Sequence, residues 1–121
     1  MKKIAVVEDN PDNRLLVRAI LEHDFVVAEY ETGTAALEGF GVERPDLVLL
    51  DISLPGMDGV EVLKRIRADA TLASVPVIAL TAHAMATDRE QFLSAGFDEY
   101  VAKPITSEVE LLGKIERLIE R

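Results

Sequence analysis

Several reactive residues in this chain sit in abrupt settings. Glu8 and Asp9 follow the apolar run Ile4-Ala5-Val6-Val7, and Asp51 follows Leu47-Val48-Leu49-Leu50. Thr81 follows Pro76-Val77-Ile78-Ala79-Leu80, and Lys103 follows Glu99-Tyr100-Val101-Ala102. Taken singly, a polar residue that ends an apolar run usually starts a turn or caps a helix. Taken together, three carboxylates, a hydroxyl and an ammonium group stand at the same end of their runs. If those runs are neighbouring parallel strands, all of these residues face one cleft.

Such a cleft has a charge problem. Two like charges 4 Å apart repel by about 1 kcal/mol in water and about 4 kcal/mol in a partly buried setting. Three carboxylates together therefore call for a cation among them. Oxygen ligands without thiolate or imidazole select a hard ion, with magnesium first and manganese as a substitute. A divalent ion beside an aspartate suits phosphoryl chemistry. Asp51 is the candidate nucleophile, forming an acyl phosphate. Lys103 would neutralise one phosphoryl oxygen and the Thr81 hydroxyl would donate to another.

The elements that must position these residues are legible in outline. Ile4–Val7 is a short apolar run, read as a buried strand. Asn10 suits an N-cap and Pro11 the first helical position. Leu16, Ala19 and Ile20 repeat at helical spacing behind them. A second strand starts at Phe25 and ends near Tyr30, and a short helix from Gly33 to Phe40 carries Ala36 and Leu37. After Pro45, Leu47–Leu50 is the third strand. Val60, Leu63 and Ile66 mark a third helix, with Glu61 and Arg65 paired on its outer face. The fourth strand precedes Thr81. Thr87 and Glu90 form a capping box for a fourth helix that Gly96 ends. Glu99–Ala102 is the fifth strand. Ser107 and Glu110 form a second capping box before a last helix striped by Leu112, Ile115 and Ile119.

Alternating strands and helices with uniformly apolar strands describe a parallel sheet covered on both faces. Right-handed crossovers put every strand's C-terminal end on one edge. Ligands of such sheets bind at that edge, near the point where strand order reverses.

Composition narrows the function classes. The chain has 121 residues, 49% of them hydrophobic, enough for one domain with a real core over residues 1–121. No repeat or linker divides it, and no output domain is expected within it. A net charge of −9 disfavours direct contact with nucleic acid. With no cysteine and two histidines, disulfides and thiolate or histidine-rich zinc sites are excluded. No apolar stretch suits membrane insertion, and Met1-Lys2-Lys3-Ile4 does not open a signal peptide. The expected location is the cytoplasm.

The segments "IAVVEDN", "LVLLDISLPGMDG", "VIALTAHA" and "YVAKPI" together resemble the receiver domains of two-component response regulators, both small stand-alone regulators and the receivers attached to hybrid histidine kinases. The resemblance covers the whole chain. It implies a flavodoxin-like (βα)5 three-layer sandwich with a five-stranded parallel sheet in the order 2-1-3-4-5. It makes Asp51 the phosphoacceptor, served by a phosphohistidine on a sensor histidine kinase or histidine phosphotransfer protein. Glu8 and Asp9 match the acidic pair that holds magnesium, and the backbone carbonyl of Ser53 matches a further ligand. Thr81 and Lys103 match the switch hydroxyl and the essential lysine. Tyr100 matches the aromatic whose rotamer follows Thr81. The Lys103-Pro104 bond is expected to be cis, aiming the lysine inward. Ser53 and His83, two residues beyond Asp51 and Thr81, match positions that flank the hydrolytic water and tune dephosphorylation. Two departures stand out. "LEHDFVV" lacks the glycine that usually ends the first helix, and the acidic pair is Glu-Asp, so that the longer Glu8 is expected to meet the metal through water.

The resemblance implies a switch: phosphorylation of Asp51 draws Thr81 in, Tyr100 turns into the vacated space, and the surface of the fourth helix, fifth strand and fifth helix changes for a downstream protein. The only chemistry expected is the domain's own phosphoryl transfer and autodephosphorylation. An electron carrier of flavodoxin type would want a glycine- and hydroxyl-rich phosphate loop where acidic "EDNPDN" stands. An aspartate-nucleophile phosphatase would want a second acid where Ser53 stands. A degenerate receiver that only docks partners would not need the full set of Glu8, Asp9, Asp51, Thr81 and Lys103. His23 belongs to no motif and is expected on the surface.

Overall fold

The computed structural model describes residues 1–82 and 86–119, leaving aside the side chains of 86–89. Within these residues the elements alternate as β1 (Lys3–Val7), α1 (Pro11–Leu21), β2 (Val26–Tyr30), α2 (Gly33–Val42) and β3 (Leu47–Asp51). They continue as α3 (Gly59–Ala68), β4 (Val77–Thr81), α4 (Ala86–Ala95), β5 (Glu99–Ala102) and α5 (Glu108–Ile119). The five strands form one sheet in the order β2-β1-β3-β4-β5, and every pairing is parallel. This is the doubly wound (βα)5 arrangement expected from the sequence.

Strand alternation sorts the core into two layers. Ala5, Val7, Val48, Leu50, Val77 and Ala79 face one side and pack with Ala36, Phe40, Val62, Leu63, Ile66 and Phe97. Ile4, Val6, Leu47, Leu49, Ile78, Leu80 and Val101 face the other and pack with Val17, Ile20, Leu21, Leu111 and Ile115. The central strands β3 and β4 are buried along their whole length. The reading of uniformly buried strands fails at β2, where Val26 is 42% exposed. As an edge strand, β2 has a neighbour on one side only.

The helix starts are chemically specified. Asn10 Oδ1 accepts the Asp12 and Asn13 amides at 2.8 and 3.1 Å, with Pro11 at the first helical position. Thr32 and Asp58 cap α2 and α3 by accepting the Ala35 and Glu61 amides, both at 3.0 Å. Ser107 Oγ accepts the Glu110 amide at 3.1 Å, as the capping motif requires. Helix α4 begins at Ala86, so Thr87 lies inside it, and its side chain is outside the described residues. Gly96, at φ +115°, follows α4 in a backbone conformation that side chains disfavour.

Helix α1 corrects the expected stripe. Leu16 and Ala19 are exposed, and the buried face runs through Val17, Ile20 and Leu21. Asn13 lies one turn before Val17, on the same face and half-buried. In α5 the fully buried positions are Leu111 and Ile115, while Leu112 and Ile119 are only partly covered. The missing glycine after α1 costs no strained residue. Glu22 stays right-handed, and the Asp24 and Phe25 amides bond the Leu21 carbonyl at 3.1 and 3.0 Å. His23 is exposed, as expected.

Candidate functional site

Register delivers the polar residues to one edge. The Glu8 amide bonds the Tyr30 carbonyl at 3.0 Å, which fixes the exit of β1. Asp51 is the last residue of β3, and the Ile52 amide bonds the Leu80 carbonyl at 3.1 Å. Thr81 is the last residue of β4, and its carbonyl accepts the Lys103 amide at 2.8 Å. Gly59 lets α3 start against this edge. A Cβ there would collide with the Asp51 carbonyl and stand 2.8 Å from the Ile52 Cα.

The side chains then meet. Lys103 Nζ lies 3.1 Å from Asp51 Oδ2 and 3.2 Å from Glu8 Oε1. Asp51 Oδ1 accepts the Ser53 amide at 2.9 Å. One oxygen each from Glu8, Asp9 and Asp51 lies within 4.8 Å of the others. Glu8, Asp51 and Thr81 are the buried polar residues among those described, at 1%, 2% and 3% exposure. Asp9 is exposed, so the cluster opens to solvent on that side.

Burial and crowding move the acids apart. Burial, helped by a carboxyl hydrogen bond to Asp51 and by its charge, raises Glu8 to about 7 against the opposing pull of Lys103. Burial also pushes Asp51 upward, but hydrogen bonds from Glu8, the Ser53 amide and Lys103 outweigh it and hold Asp51 below its usual range. Lys103 loses some basicity to burial and regains more from Asp51 and Glu8, so it stays firmly charged. Without a metal, one lysine thus serves two buried carboxyls, and burial with the neighbouring Asp51 lets Glu8 keep a proton near neutrality. That is the signature of a site short of positive charge. An all-oxygen donor set with this spacing fits a hard divalent cation carrying part of its water shell.

The remaining expectations fall as follows. The Lys103-Pro104 peptide is cis. Ser53 is exposed in the turn after Asp51. Tyr100 is half-buried against Phe92, with ring centroids 6.0 Å apart, and Lys114 Nζ stands 5.0 Å over its ring. Lys114 also donates to the Tyr100 carbonyl at 2.7 Å. His83 lies outside the described residues.

Two residues escaped the reading of the sequence. Asn13 Nδ2 donates to Glu8 Oε1 at 3.1 Å, and Arg14 Nη1 donates to the Glu8 and Asp9 carbonyls at 2.8 and 3.3 Å. The available signal was the Asn13-Val17-Ile20 spacing, which puts an amide at the cleft end of the buried face of α1.

Known proteins agree with this geometry. The family model described as the response regulator receiver domain matches residues 4–116. The chain belongs to that family, whose fold and place in two-component signalling it therefore shares. It is 41% identical to the polar-differentiation response regulator DivK of Brucella anthropi over 110 residues, covering 87% of this chain and 86% of DivK. It is 43% identical over 108 residues to the sensor protein GacS of Pseudomonas syringae pv. syringae, covering 86% of this chain and 12% of GacS. It spans about half, 49%, of the transcriptional regulator CseB of Streptomyces coelicolor. Among solved structures, the receiver domain of sensor histidine kinase PA1611 from Pseudomonas aeruginosa superposes with a TM-score of 0.89 at 37% identity, covering 99% of this chain and 98% of that one. That receiver carries a magnesium ion coordinated in its active site cleft. Among the described residues no helix is long and apolar enough to cross a membrane.

Proposed function

We propose that this domain is a phosphoacceptor switch, taking a phosphoryl group onto Asp51 from a phosphohistidine of a sensor histidine kinase or histidine phosphotransfer protein. The observation that carries the reading is the seat of Asp51. It is a buried carboxylate with one oxygen on the Ser53 amide at 2.9 Å and the other beside Lys103 at 3.1 Å, in a cluster where that one lysine serves two of three carboxyls. Likeness to receivers of sensor kinases supports the class of donor.

In the proposed step a carboxylate oxygen of Asp51 attacks phosphorus. The new O–P bond forms as the P–N bond breaks, and the departing imidazole keeps the electron pair and is protonated from solvent. Lys103 turns from the carboxylates to a phosphoryl oxygen, and the Thr81 hydroxyl donates to another. The Ser53 amide keeps Asp51 oriented throughout. Asp9, Asp51 and the Ser53 carbonyl, with Glu8 nearby, would hold magnesium or manganese, which would supply neutralisation of the charge on the transferring group.

The added charge, close to two units, is what the rest of the domain senses. Movement of Thr81 admits the Tyr100 ring and withdraws it from Lys114. The surface of α4, β5 and α5 then presents a different face to a downstream protein. Ser53 and His83 tune the lifetime of the acyl phosphate. The proposed setting is the cytoplasm, and with a net charge of −9 the contact is with protein rather than nucleic acid.

The test is incubation with acetyl phosphate and magnesium, read by intact mass. The reading expects a gain of one phosphoryl group by the wild type and none by Asp51→Asn. A wild type that stays unmodified while a control receiver is labelled would turn the assignment to a docking module.

A further inference from the structure

Glu8 Oε1 is held by two donors from opposite sides. Lys103 Nζ reaches it from the end of β5 at 3.2 Å, and Asn13 Nδ2 reaches it from the first turn of α1 at 3.1 Å. The other oxygen, Oε2, accepts the Asn10 amide at 3.5 Å, and the Glu8 and Asp51 carboxyls also share a hydrogen bond. Lys103 is also committed to Asp51 Oδ2 at 3.1 Å, so its grip on Glu8 is shared. Among the described residues, the Asn13 side-chain amide donates to Glu8 alone. It is anchored by its own backbone, whose amide bonds the Asn10 cap at 3.1 Å, and it stands on the buried face of the helix one turn before Val17. A neutral amide donor fixes orientation without adding a charge that a cation would have to oppose.

We infer that Asn13 is a positioning residue that keeps the Glu8 carboxylate aimed at the cation site when Lys103 leaves it for the phosphoryl group. The inference rests on the proposed function for the departure of Lys103, and on geometry alone for the hold on Glu8. The chain needs both donors because one of them must move during the reaction. With Lys103 as the only side-chain donor to Oε1, Glu8 would be less firmly oriented when the transferred charge most needs a cation nearby.

The experiment is a calorimetric titration of the whole chain with magnesium chloride, in wild type, Asn13→Ala, Lys103→Met and the double variant, with magnesium-free melting of each. Asn13→Ala is expected to weaken magnesium binding about tenfold, the order found for residues that orient metal ligands. It should do so by a larger factor in the Lys103→Met background, where Asn13 is the remaining side-chain donor to Oε1. Magnesium-free melting should change little, because alanine suits a helix and the Asn10 cap is untouched. Equal affinities with and without Asn13 would overturn the inference, as would the same factor in both backgrounds or a loss confined to melting temperature. A wild type that binds no magnesium would overturn it too. The phosphoacceptor reading is tested separately. Failure of Asp51 to take label, with the Asn13 effect intact, would remove that reading and leave the hold on Glu8 standing. Normal labelling with no Asn13 effect would do the reverse.

Discussion

At the N-terminal edge of the sheet, carboxylates have dedicated partners. Asp46 accepts the Lys3 amide at 2.7 Å, and Asp98 accepts the Val77 amide at 2.8 Å and Arg67 Nη2 at 2.9 Å. At the C-terminal edge Glu8, Asp9 and Asp51 crowd together, and Lys103 is the side-chain cation within salt-bridge distance of Glu8 and Asp51 among the described residues. The same sheet thus ends in carboxylates matched by donors on one side and in crowded carboxylates sharing one lysine on the other. Balance ties elements together, while a deficit at this edge leaves room for an incoming cation. The contrast predicts that removing a charge destabilises the first edge, while removing that of Glu8 stabilises the second.

The largest stability effect belongs to Arg67. Its guanidinium donates to the carbonyls of Gly96, Ala73 and Val75 as well as to Asp98, joining α3 to the entrances of β4 and β5. Arg67→Met removes this donor from three carbonyls and from Asp98, which keeps the Val77 amide, and should cost about 3 kcal/mol in urea unfolding. A loss below about 1 kcal/mol would show that this edge is not held by its pairs.

The next effect is on pH dependence. Folded Glu8 keeps its proton to about 7, while the unfolded chain releases it near 4.5. Between those values the folded state binds more protons, so its advantage is complete below the lower value and fades as pH rises through the higher one. Metal-free protein should therefore lose about 2 kcal/mol of stability from pH 5 to pH 8, by urea melts in chelator. Asp51 shifts in the opposite direction, and its contribution is lost only as pH falls below its unfolded value of 3.8. A flat profile from pH 5 to pH 8 would contradict the crowding of Glu8.

Glu8→Gln should consequently stabilise the metal-free protein at pH 8 by about 1 kcal/mol, since it removes a charge that the site disfavours. A destabilised variant would mean that Lys103 already balances the cluster. The smallest effect is expected on a solvent-facing helix surface. Glu61 and Arg65 pair at 3.1 Å on the outer face of α3, with both side chains about half exposed. Glu61→Gln should shift stability by no more than about 0.5 kcal/mol.

These contrasts were unevenly legible in the sequence. Strand ends and their chemistry could be read because a parallel α/β chain sends every strand's C-terminus to one edge, so Glu8, Asp51, Thr81 and Lys103 needed only local pattern and topology. The phase of α1 could not be read in the same way. Leu15, Leu16 and Val17 are consecutive apolar residues, and periodicity alone does not choose among them. Packing into the core layer on this side of the sheet buries Val17 and leaves Leu15 66% exposed. That same choice decides where Asn13 points, so its bond to Glu8 was hidden as well. The Arg67 bonds were hidden for another reason. They go to backbone carbonyls distant in sequence, which carry no side-chain signature.

The most direct measurement is the location of the phosphoryl group. After reaction with acetyl phosphate, reductive trapping of the acyl phosphate and peptide mapping should place one modification per chain at Asp51, dependent on magnesium and abolished by chelator. Modification at another residue, or equal labelling of Asp51 with and without the metal, would contradict an account built on the charge deficit at this edge.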